Sequence, residues 1–484
     1  MPPLPPIALP AGRSRAHVAY YVTCWSRLAR NLEAVVTDYV TNFIRLAPAG
    51  AAVVAAWGMC PTLGPAAEPW TLDRALATAL QNSPDARIAR QRVAGAEAMI
   101  DQARSAWYPQ LSVQGRYLET NSPMMAFGSI LNQRAFNFGL DFNHPGRIDD
   151  LNATGTVGYN LYSGGRASAG LAAARGGARA AGQDLRAAQQ QLGAEVVKAW
   201  FSVHKAREAV GAVEAGVKAF AAAVSVAQAR FDAGQMLKAD LLSLEVQLAE
   251  TQENLAAARH GAALAERAFL FALGLDGTGG DVQLAEDDPA PARLAVPDTG
   301  DYSQRPELLG LQERVRAAEA MVRAARGGRL PTVNAFASYQ YDRGWQLNGA
   351  ADSWLAGVSV DLNVFDGGQT SGRIRQANAE LEQVKEMLRK AVLGIGLEVE
   401  QARLAHAEAV ERLAVTARAV AQAEESAALS RARFEKGALL AADLIGVEGR
   451  LIAARMRRAV AVADERIAVA ELRRTLGVPP LVQP

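Results

Sequence analysis

The sequence predicts a mostly α-helical protein with four membrane-spanning β-strands per chain, built from two internal repeats. Three observations support this class: a very long helical segment, a second copy of that segment, and short runs in which apolar and polar residues alternate. The long segment runs from Gly164 to Phe231, is rich in Ala, Gln, Arg and Val, and contains no proline. Such a composition favours helix, and one unbroken helix of this length would reach about 100 Å.

The long segment carries an apolar stripe whose members follow one another at steps of four and three residues. A 3.5-residue period predicts a supercoiled helical partner. Because most members are small, neighbouring helices could approach closely. An ordinary coiled-coil rod is the alternative on periodicity alone. The stripe consists of Leu192, Val196, Ala199, Val203, Ala206, Val210, Val213, Val217, Phe220, Val224, Ala227 and Phe231.

Motifs recur along the chain at a constant spacing. "LYSGGR" at 161–166 recurs as "VFDGGQ" at 364–369, and "RFDAGQMLKADLL" at 230–242 recurs as "RFEKGALLAADLI" at 433–445, both with an offset of 203 (367 − 164). The helix-ending prolines Pro109 and Pro331 have an offset of 222 (331 − 109). The spacing predicts a duplication, with 19 extra residues (222 − 203) between Pro109 and Gly164 in the first copy.

The duplication predicts the following division of the chain. Repeat 1 has short helices, a β-hairpin, a long helix and a return helix, and repeat 2 has the same order after a linker. The predicted ranges are 68–275 for repeat 1 (hairpin 110–163, long helix 164–232, return helix 239–273), 276–302 for the linker, 303–478 for repeat 2 (hairpin 332–365, long helix 367–435, return helix 441–476) and 479–484 for a tail.

Four runs of about ten residues or slightly more alternate between apolar and polar side chains. Such alternation indicates a strand with one apolar and one wet face, and the length fits a tilted crossing of a bilayer. A soluble hairpin with one core face is the alternative for each run taken alone. Between the first two strands, residues 124–150 are rich in Gly and Asn and predict a polar loop.

Four strands in a membrane impose a condition on assembly. A sheet in lipid has to close, because an edge strand would leave its backbone polar groups unpaired. Known single-chain barrels start at eight strands. If these strands span a membrane, several chains therefore have to share one barrel, and the long helices would continue it as a tube.

Residues 1–67 resemble a secretory signal peptide with an over-extended amino terminus. A basic flank precedes a short apolar core, 46–59, and small residues follow. The length suggests a true start downstream, for example at Val40, while a short membrane anchor is the alternative. Both cysteines lie in this segment, Cys24 and Cys60, and lipidation of Cys60 is a further alternative. The charge balance, 51 basic against 50 acidic residues, gives no indication of nucleic-acid binding.

The order of short helices, hairpin, "GG", very long helix, "RF-x-x-G" and return helix, twice over, resembles the TolC-type outer-membrane efflux protein family. The resemblance covers about residues 70–478. It implies a homotrimer in the outer membrane, with a twelve-stranded barrel and a twelve-helix periplasmic tube. It also implies two partners, a periplasmic adaptor protein and an inner-membrane pump.

The resemblance assigns roles to individual residues. Glycine pairs form the strand-to-helix junctions, turns form the periplasmic entrance, and Asp443 matches an acidic residue that lines the constriction, with Asp240 as its counterpart in repeat 1. A first-turn acid favoured by the helix dipole is the alternative for both. Two positions depart from the family pattern, Gly446 and Leu439. The junctions are Gly164, Gly165, Gly367 and Gly368, and the turns are Arg230, Phe231, Gly234, Arg433, Phe434 and Gly437.

The predicted function is an exit duct that passes substrates from the adaptor and pump to the outside. The five histidines are scattered, and the sequence has no phosphate loop or Cys/His set. We therefore expect no enzyme activity, no cofactor and no metal site. The alternative function is a structural or adhesive coiled-coil surface protein.

Overall fold

The structure is a computed structural model. The predicted amino-terminal segment, 1–67, with Cys24 and Cys60, lies outside the described residues. The model describes residues 69–141, 143–276, 282–285, 288–297, 300–479 and 481.

Within these residues the chain is mostly helical, with one antiparallel sheet. In chain order the elements are α1 (Leu72–Asn82), α2 (Pro84–Arg104), β1 (Gln110–Thr120), α3 (Pro123–Asn132), β2 (Ile148–Tyr162), α4 (Arg166–Asp232), α5 (Lys238–Ala272), α6 (Pro306–Arg326), β3 (Thr332–Arg343), β4 (Ala350–Asp361), α7 (Gln369–Glu435) and α8 (Ala441–Thr475).

Three pairs of corresponding helices in the two halves have equal lengths. Helices α4 and α7 have 67 residues each, α5 and α8 have 35, and α2 and α6 have 21. The bounds of α4 and α5 become those of α7 and α8 on adding 203 (166 + 203 = 369), and those of α2 become those of α6 on adding 222 (84 + 222 = 306). Similar sequence patterns thus end their helices at corresponding residues.

Helix α4 is the element against which most others pack. It contacts α1, α2, α5, α6 and α8. Every member of its predicted apolar stripe is buried or half-buried, including Val196, Val203 and Phe220. Around its middle, Trp200 packs edge-on against Phe269 of α5, with ring centroids 5.8 Å apart. By length and composition α4 could also cross a membrane, but a helix of a protein core has the same composition, and these contacts place α4 among other helices.

The sheet separates apolar from polar side chains. The strand order is β1-β2-β3-β4, with every neighbouring pair antiparallel. Because neighbours in register share a face, one face carries rows such as Leu111–Val157–Ala337–Ala356, and the other carries rows such as Gln114–Thr154–Gln340–Ser353. The apolar face is uncovered: Val113 is 80 % exposed and Trp354 is 77 % exposed. Such a face suits contact with lipid.

Both outer strands of the sheet have one partner each within the described residues. β1 pairs with β2 only, and β4 pairs with β3 only. An edge strand presents a row of unpaired N–H and C=O groups. The sheet can therefore accept a further strand on either side.

The predicted polar loop, 124–150, is wrong in part. Pro123–Asn132 forms helix α3, and β2 already begins at Ile148. Pro123 occupies the first helical turn, where its missing N–H costs nothing. Ala126 and Ile130 are fully buried and form a small core with Ile148. This tertiary contact stabilises a ten-residue helix that would be marginal alone.

The strand-to-helix junctions require glycine for two different reasons. Gly164 and Gly165 have φ angles of +66° and +78°, and Gly367 and Gly368 have +63° and +91°. Residues other than glycine rarely adopt this left-handed backbone conformation. In addition, an ideal Cβ on Gly164 would lie 2.5 Å from the carbonyl oxygen of Gly327, whereas a Cβ on any of the other three would meet nothing.

We predict that Gly164→Ala destabilises the protein more than Gly165→Ala. Each variant carries the left-handed penalty of about 1–2 kcal/mol, but only Gly164→Ala also clashes with backbone. Thermal unfolding of the full chain in detergent measures the difference. Equal shifts in the two variants would contradict the close contact with Gly327.

Candidate functional site

The end of the helices opposite the sheet consists of two similar turns. After α4, Gly234 adopts a φ of +71°, and the N–H of Gln235 donates to the carbonyl oxygen of Arg230 at 2.8 Å. After α7, Gly437 adopts +77°, and the N–H of Ala438 donates to the carbonyl oxygen of Arg433 at 2.8 Å. A left-handed glycine of this kind ends a helix and satisfies its last carbonyl groups.

Arg230 joins the first turn to the second. Its Nη1 donates to the carbonyl oxygen of Phe434 at 3.2 Å, and its guanidinium carbon lies 5.7 Å from the centroid of the Phe434 ring. A cation over an aromatic face is attracted by the ring quadrupole. The side chain of Arg433, the counterpart of Arg230, is exposed and has no ion pair or hydrogen bond within the part of the chain that the structure describes.

An apolar cluster supports the two turns. Phe434 is fully buried in it, while Phe231 is half-buried and packs against it. Because residues from all four long and return helices contribute, the turns are held together by burial as well as by Arg230. The buried members are Phe220, Ala223, Ala227, Leu241, Leu244, Phe434, Ala441 and Leu444.

Asp240 and Asp443 occupy the same position in their helices. Each is the third helical residue, after the cap residues Leu237 and Leu440, whose side chains accept no capping bond. A carboxylate there interacts favourably with the positive end of the helix. Asp443 is exposed and Asp240 is half-buried. Within one chain, both carboxylates therefore stabilise the start of a helix through its dipole. A ring of carboxylates around a pore would need further copies of the chain.

The two departures from the family pattern have distinct surroundings. Gly446 is exposed, and a Cβ added to it would meet nothing within 4 Å. Leu439 is half-buried and packs against the apolar cluster below the turns. The charged end of a basic side chain at position 439 could not remain in that apolar contact. The leucine therefore adds apolar packing to the turn, where a basic residue would add a positive charge.

The sequence analysis missed an ion pair next to the second turn, between a buried glutamate and an arginine at the surface. Arg431 Nη2 donates to Glu448 Oε2 at 2.7 Å, and Glu448 is only 1 % exposed. The hydrogen bond with Glu448 raises the pKa of Arg431 above its ordinary value. The signal was available: Glu448 lies four residues after Leu444 and three before Leu451, both buried, so an acid occupies a core position of the α8 stripe.

Elsewhere in the described part of the chain, the acidic and histidine side chains do not form a metal site. Among the described residues no group of three or more His, Cys, Asp or Glu side chains could hold a metal ion. His204 of α4 lies 5.5 Å from Trp200 between ring centroids. Burial lowers the pKa of His204, and the positive charge of Arg207 lowers it further, which indicates a neutral side chain in a packed environment.

A family model described as "Outer membrane efflux protein" matches residues 75–275 and 302–478. The two matched segments leave out most of the predicted linker, 276–302. Together they span well over half of the chain.

The chain is also similar to individual proteins. Protein CyaE of Bordetella pertussis is 26 % identical over 432 residues, which cover 84 % of each chain. The outer membrane efflux protein BepC of Brucella suis is 25 % identical over 361 residues, covering 70 % of this chain and 72 % of BepC. The crystal structure of the Campylobacter jejuni CmeC outer membrane channel shares the fold, with a TM-score of 0.71, 14 % identity and coverage of 89 % and 94 %.

We predict that Arg431→Gln destabilises the turn region. The variant leaves Glu448 buried without its partner, which costs about 3–5 kcal/mol in a fully buried pair. Because Arg431 is itself 45 % exposed, we expect roughly 2 kcal/mol here. Urea unfolding in detergent measures the loss.

Two further variants test the cause. Arg455→Gln breaks the more exposed pair with Glu424 (2.8 Å) and should cost about 1 kcal/mol or less. The double variant Arg431→Met, Glu448→Leu removes both charges and should recover most of the stability. A loss in Arg431→Gln no larger than that in Arg455→Gln would contradict the role of burial.

Proposed function

This chain belongs to the outer membrane efflux protein family, and from this premise we propose that three copies assemble into one duct. The chain is an outer-membrane exit duct of an efflux or type I secretion system, with its helices in the periplasm. In the proposed assembly the three sheets form one twelve-stranded barrel, and the long and return helices form a twelve-helix tube. A periplasmic adaptor and an inner-membrane pump deliver the substrate and the energy.

One observation carries the proposal: a four-stranded sheet with an uncovered apolar face and two edges that pair with no further strand of the described residues. The apolar face suits lipid, and lipid does not tolerate unpaired edges. Four strands cannot close on themselves, whereas three copies supply twelve (3 × 4). An adhesive coiled-coil protein would have no use for the exposed apolar sheet.

The offsets between the two halves supply the register of the proposed joint. Adding 222 to residues of β1 and 203 to residues of β2 gives the equivalent residues of β3 and β4. The pair Gln110↔Gly158 of the first hairpin then corresponds to Thr332↔Asp361 (110 + 222, 158 + 203), which is a pair of the second hairpin. Applied to the joint between halves, Gly155↔Tyr339 becomes Val358↔Tyr117. We infer that Val358 of β4 pairs with Tyr117 of β1 in the next copy.

The helices support the same joint. Gly176 of α4 is buried against Ala317 of α6. The corresponding residues are Ala379 of α7 and Gly95 of α2 (176 + 203, 317 − 222), and both are exposed within one chain. Each pair combines one glycine with one alanine, so α7 offers the next copy's α2 a contact of the same size.

The turns at the periplasmic end suggest how the entrance closes. Arg230 donates to the carbonyl oxygen of Phe434 within one chain. Its counterpart Arg433 would donate to Phe231 of the next copy (433 − 203 = 230, 434 − 203 = 231). Six such contacts would draw the helix ends together, and opening of the entrance would release them. Asp443 of each copy would contribute to a ring of three carboxylates, which attracts cations.

We predict that cysteines at positions 117 and 358 cross-link neighbouring copies. In a chain with Cys24 and Cys60 replaced by serine, the pair Tyr117→Cys, Val358→Cys should yield covalent trimers on a non-reducing gel after mild oxidation. The matched control, Val113→Cys with Val358→Cys, shifts the register by four residues, or about 13 Å, and should yield monomers. Monomers from both pairs would contradict the joint.

We predict that Asp443→Asn weakens block of the channel by multivalent cations. Each carboxylate within about 4 Å of a cation contributes on the order of 1 kcal/mol in water, so loss of three should weaken block at least tenfold. Single-channel recording in planar bilayers measures it. Asp240→Asn, at the equivalent helix position, is the control and should behave as the native protein. Unchanged block in Asp443→Asn would remove the proposed ring.

A further inference from the structure

Helix α3 lies on the polar face of the sheet, at the end far from the long helices. Gln133 Nε2 donates to the backbone oxygen of Asp149 at 2.7 Å and to Asp150 Oδ1 at 3.0 Å. Ile130 packs against Ile148. The side chains of Ile148 and Asp150 share a face with Thr154, because alternate residues of a strand point the same way. That face is the polar one.

The helix also has an apolar stripe on its opposite side. Its sheet-facing residues are spaced i, i+3, i+4, i+7, and are all buried: Ala126, Ser129, Ile130 and Gln133. A second set with the same spacing begins two positions earlier, so it lies about 200° around the helix. It comprises Met124, Phe127, Gly128 and Leu131, and Met124 is 81 % exposed.

Aromatic residues after the helix extend this apolar surface. Phe136 lies 6.4 Å from Phe127 between ring centroids, and Phe138 lies 5.3 Å from Phe136. Phe138 is 98 % exposed. Pro123, Met124, Phe127 and Phe136 line an open concavity of about 560 Å³. Apolar surface of this kind outside a core usually marks a contact site.

Helix α3 and the start of β2 contact the loop of the second hairpin. The carboxylate of Asp149 accepts hydrogen bonds from the backbone N–H groups of Trp345 at 2.9 Å and Gln346 at 2.8 Å. An ideal Cβ on Gly349 would lie 2.8 Å from the backbone oxygen of Gln133. The loop of the second hairpin therefore supports α3 directly, and the apolar stripe has a defined direction.

We propose that the apolar stripes of three copies face one another across the outer mouth of the barrel and form an apolar constriction. This inference rests on the proposed trimer. In that barrel the apolar face contacts lipid, so the polar face lines the lumen and α3 projects inward. Twelve strands about 4.8 Å apart, tilted by about 40°, enclose a diameter of about 24 Å. Three helices about 10 Å thick with their side chains nearly fill it.

The constriction selects cargo by its surface chemistry. A narrow apolar ring resists wetting and hence the passage of hydrated ions. Cargo with apolar surface contacts the methionine, leucine and phenylalanine side chains favourably, because the contact removes apolar surface of both partners from water. The proposed duct would then favour apolar or amphipathic substrates over bare ions, with this selection at the exit in addition to the periplasmic entrance.

Labelling from outside the cell tests the constriction independently of the periplasmic entrance. Ser112 is exposed on the polar face of β1, toward the long helices. In full chains with Cys24 and Cys60 replaced by serine, Ser112→Cys is exposed on intact cells to a maleimide-polyethylene glycol too large for general porins. We expect slow labelling, at least tenfold faster with Met124→Gln and Leu131→Gln added. Met321→Gln, an exposed methionine of α6, is the control and should change nothing.

A second measurement distinguishes the other copies from lipid as the neighbour of the stripe. Met124→Cys alone, treated with a bis-maleimide of about 10 Å span, should give covalent dimers and trimers. Copies whose stripes face lipid would lie too far apart to react. Equal labelling rates with and without the two glutamines, or monomers only from Met124→Cys, in a chain whose 117–358 cross-link forms trimers, would overturn the constriction. Absence of that cross-link would instead count against the trimer.

Discussion

The requirement that backbone N–H and C=O groups be paired in lipid governs the rest of this structure. The described part of one chain provides four strands whose apolar face is exposed and whose two outer strands have no second partner among the described residues. In water such edges would be a hazard for aggregation. In the proposed trimer they would become the joints between copies, so that a chain with too few strands to close a barrel alone would be compatible with the bilayer.

In the proposed trimer the same constraint would also explain why the two halves resemble each other so closely. A closed ring built from alternating halves needs every joint to have the same strand spacing and register. The joint between β2 and β3 lies within the chain, and the proposed joint between copies would pair β4 with β1 in the equivalent register. The glycines at both strand-to-helix junctions have left-handed backbone angles, which glycine adopts at little cost and other residues rarely adopt.

At the opposite end of the helices, burial and charge act on the same few residues. Phe434 is part of the apolar cluster and also accepts the hydrogen bond of Arg230. Glu448 lies in the core of the α8 stripe and is neutralised by Arg431. A turn held by a small number of directional contacts over an apolar base can separate without unfolding the helices, because the helices keep their own hydrogen bonds. That property suits the proposed periplasmic entrance, which would have to open and close.

The sequence by itself determined the mostly helical fold with antiparallel strands, because periodicity is a local property of the chain. For that reason the apolar stripe of α4 and the four strands could be predicted from the sequence. The family and the outer-membrane location came from the resemblance of its ordered motifs to a known family. The tertiary structure alone decided that 123–132 is helical, that α3 lies on the polar face, and that Glu448 pairs with Arg431 across seventeen residues. Each of these depends on contacts between segments distant in sequence, such as Ile130 with Ile148 and Gln133 with Asp150, and intrinsic propensity does not contain that information.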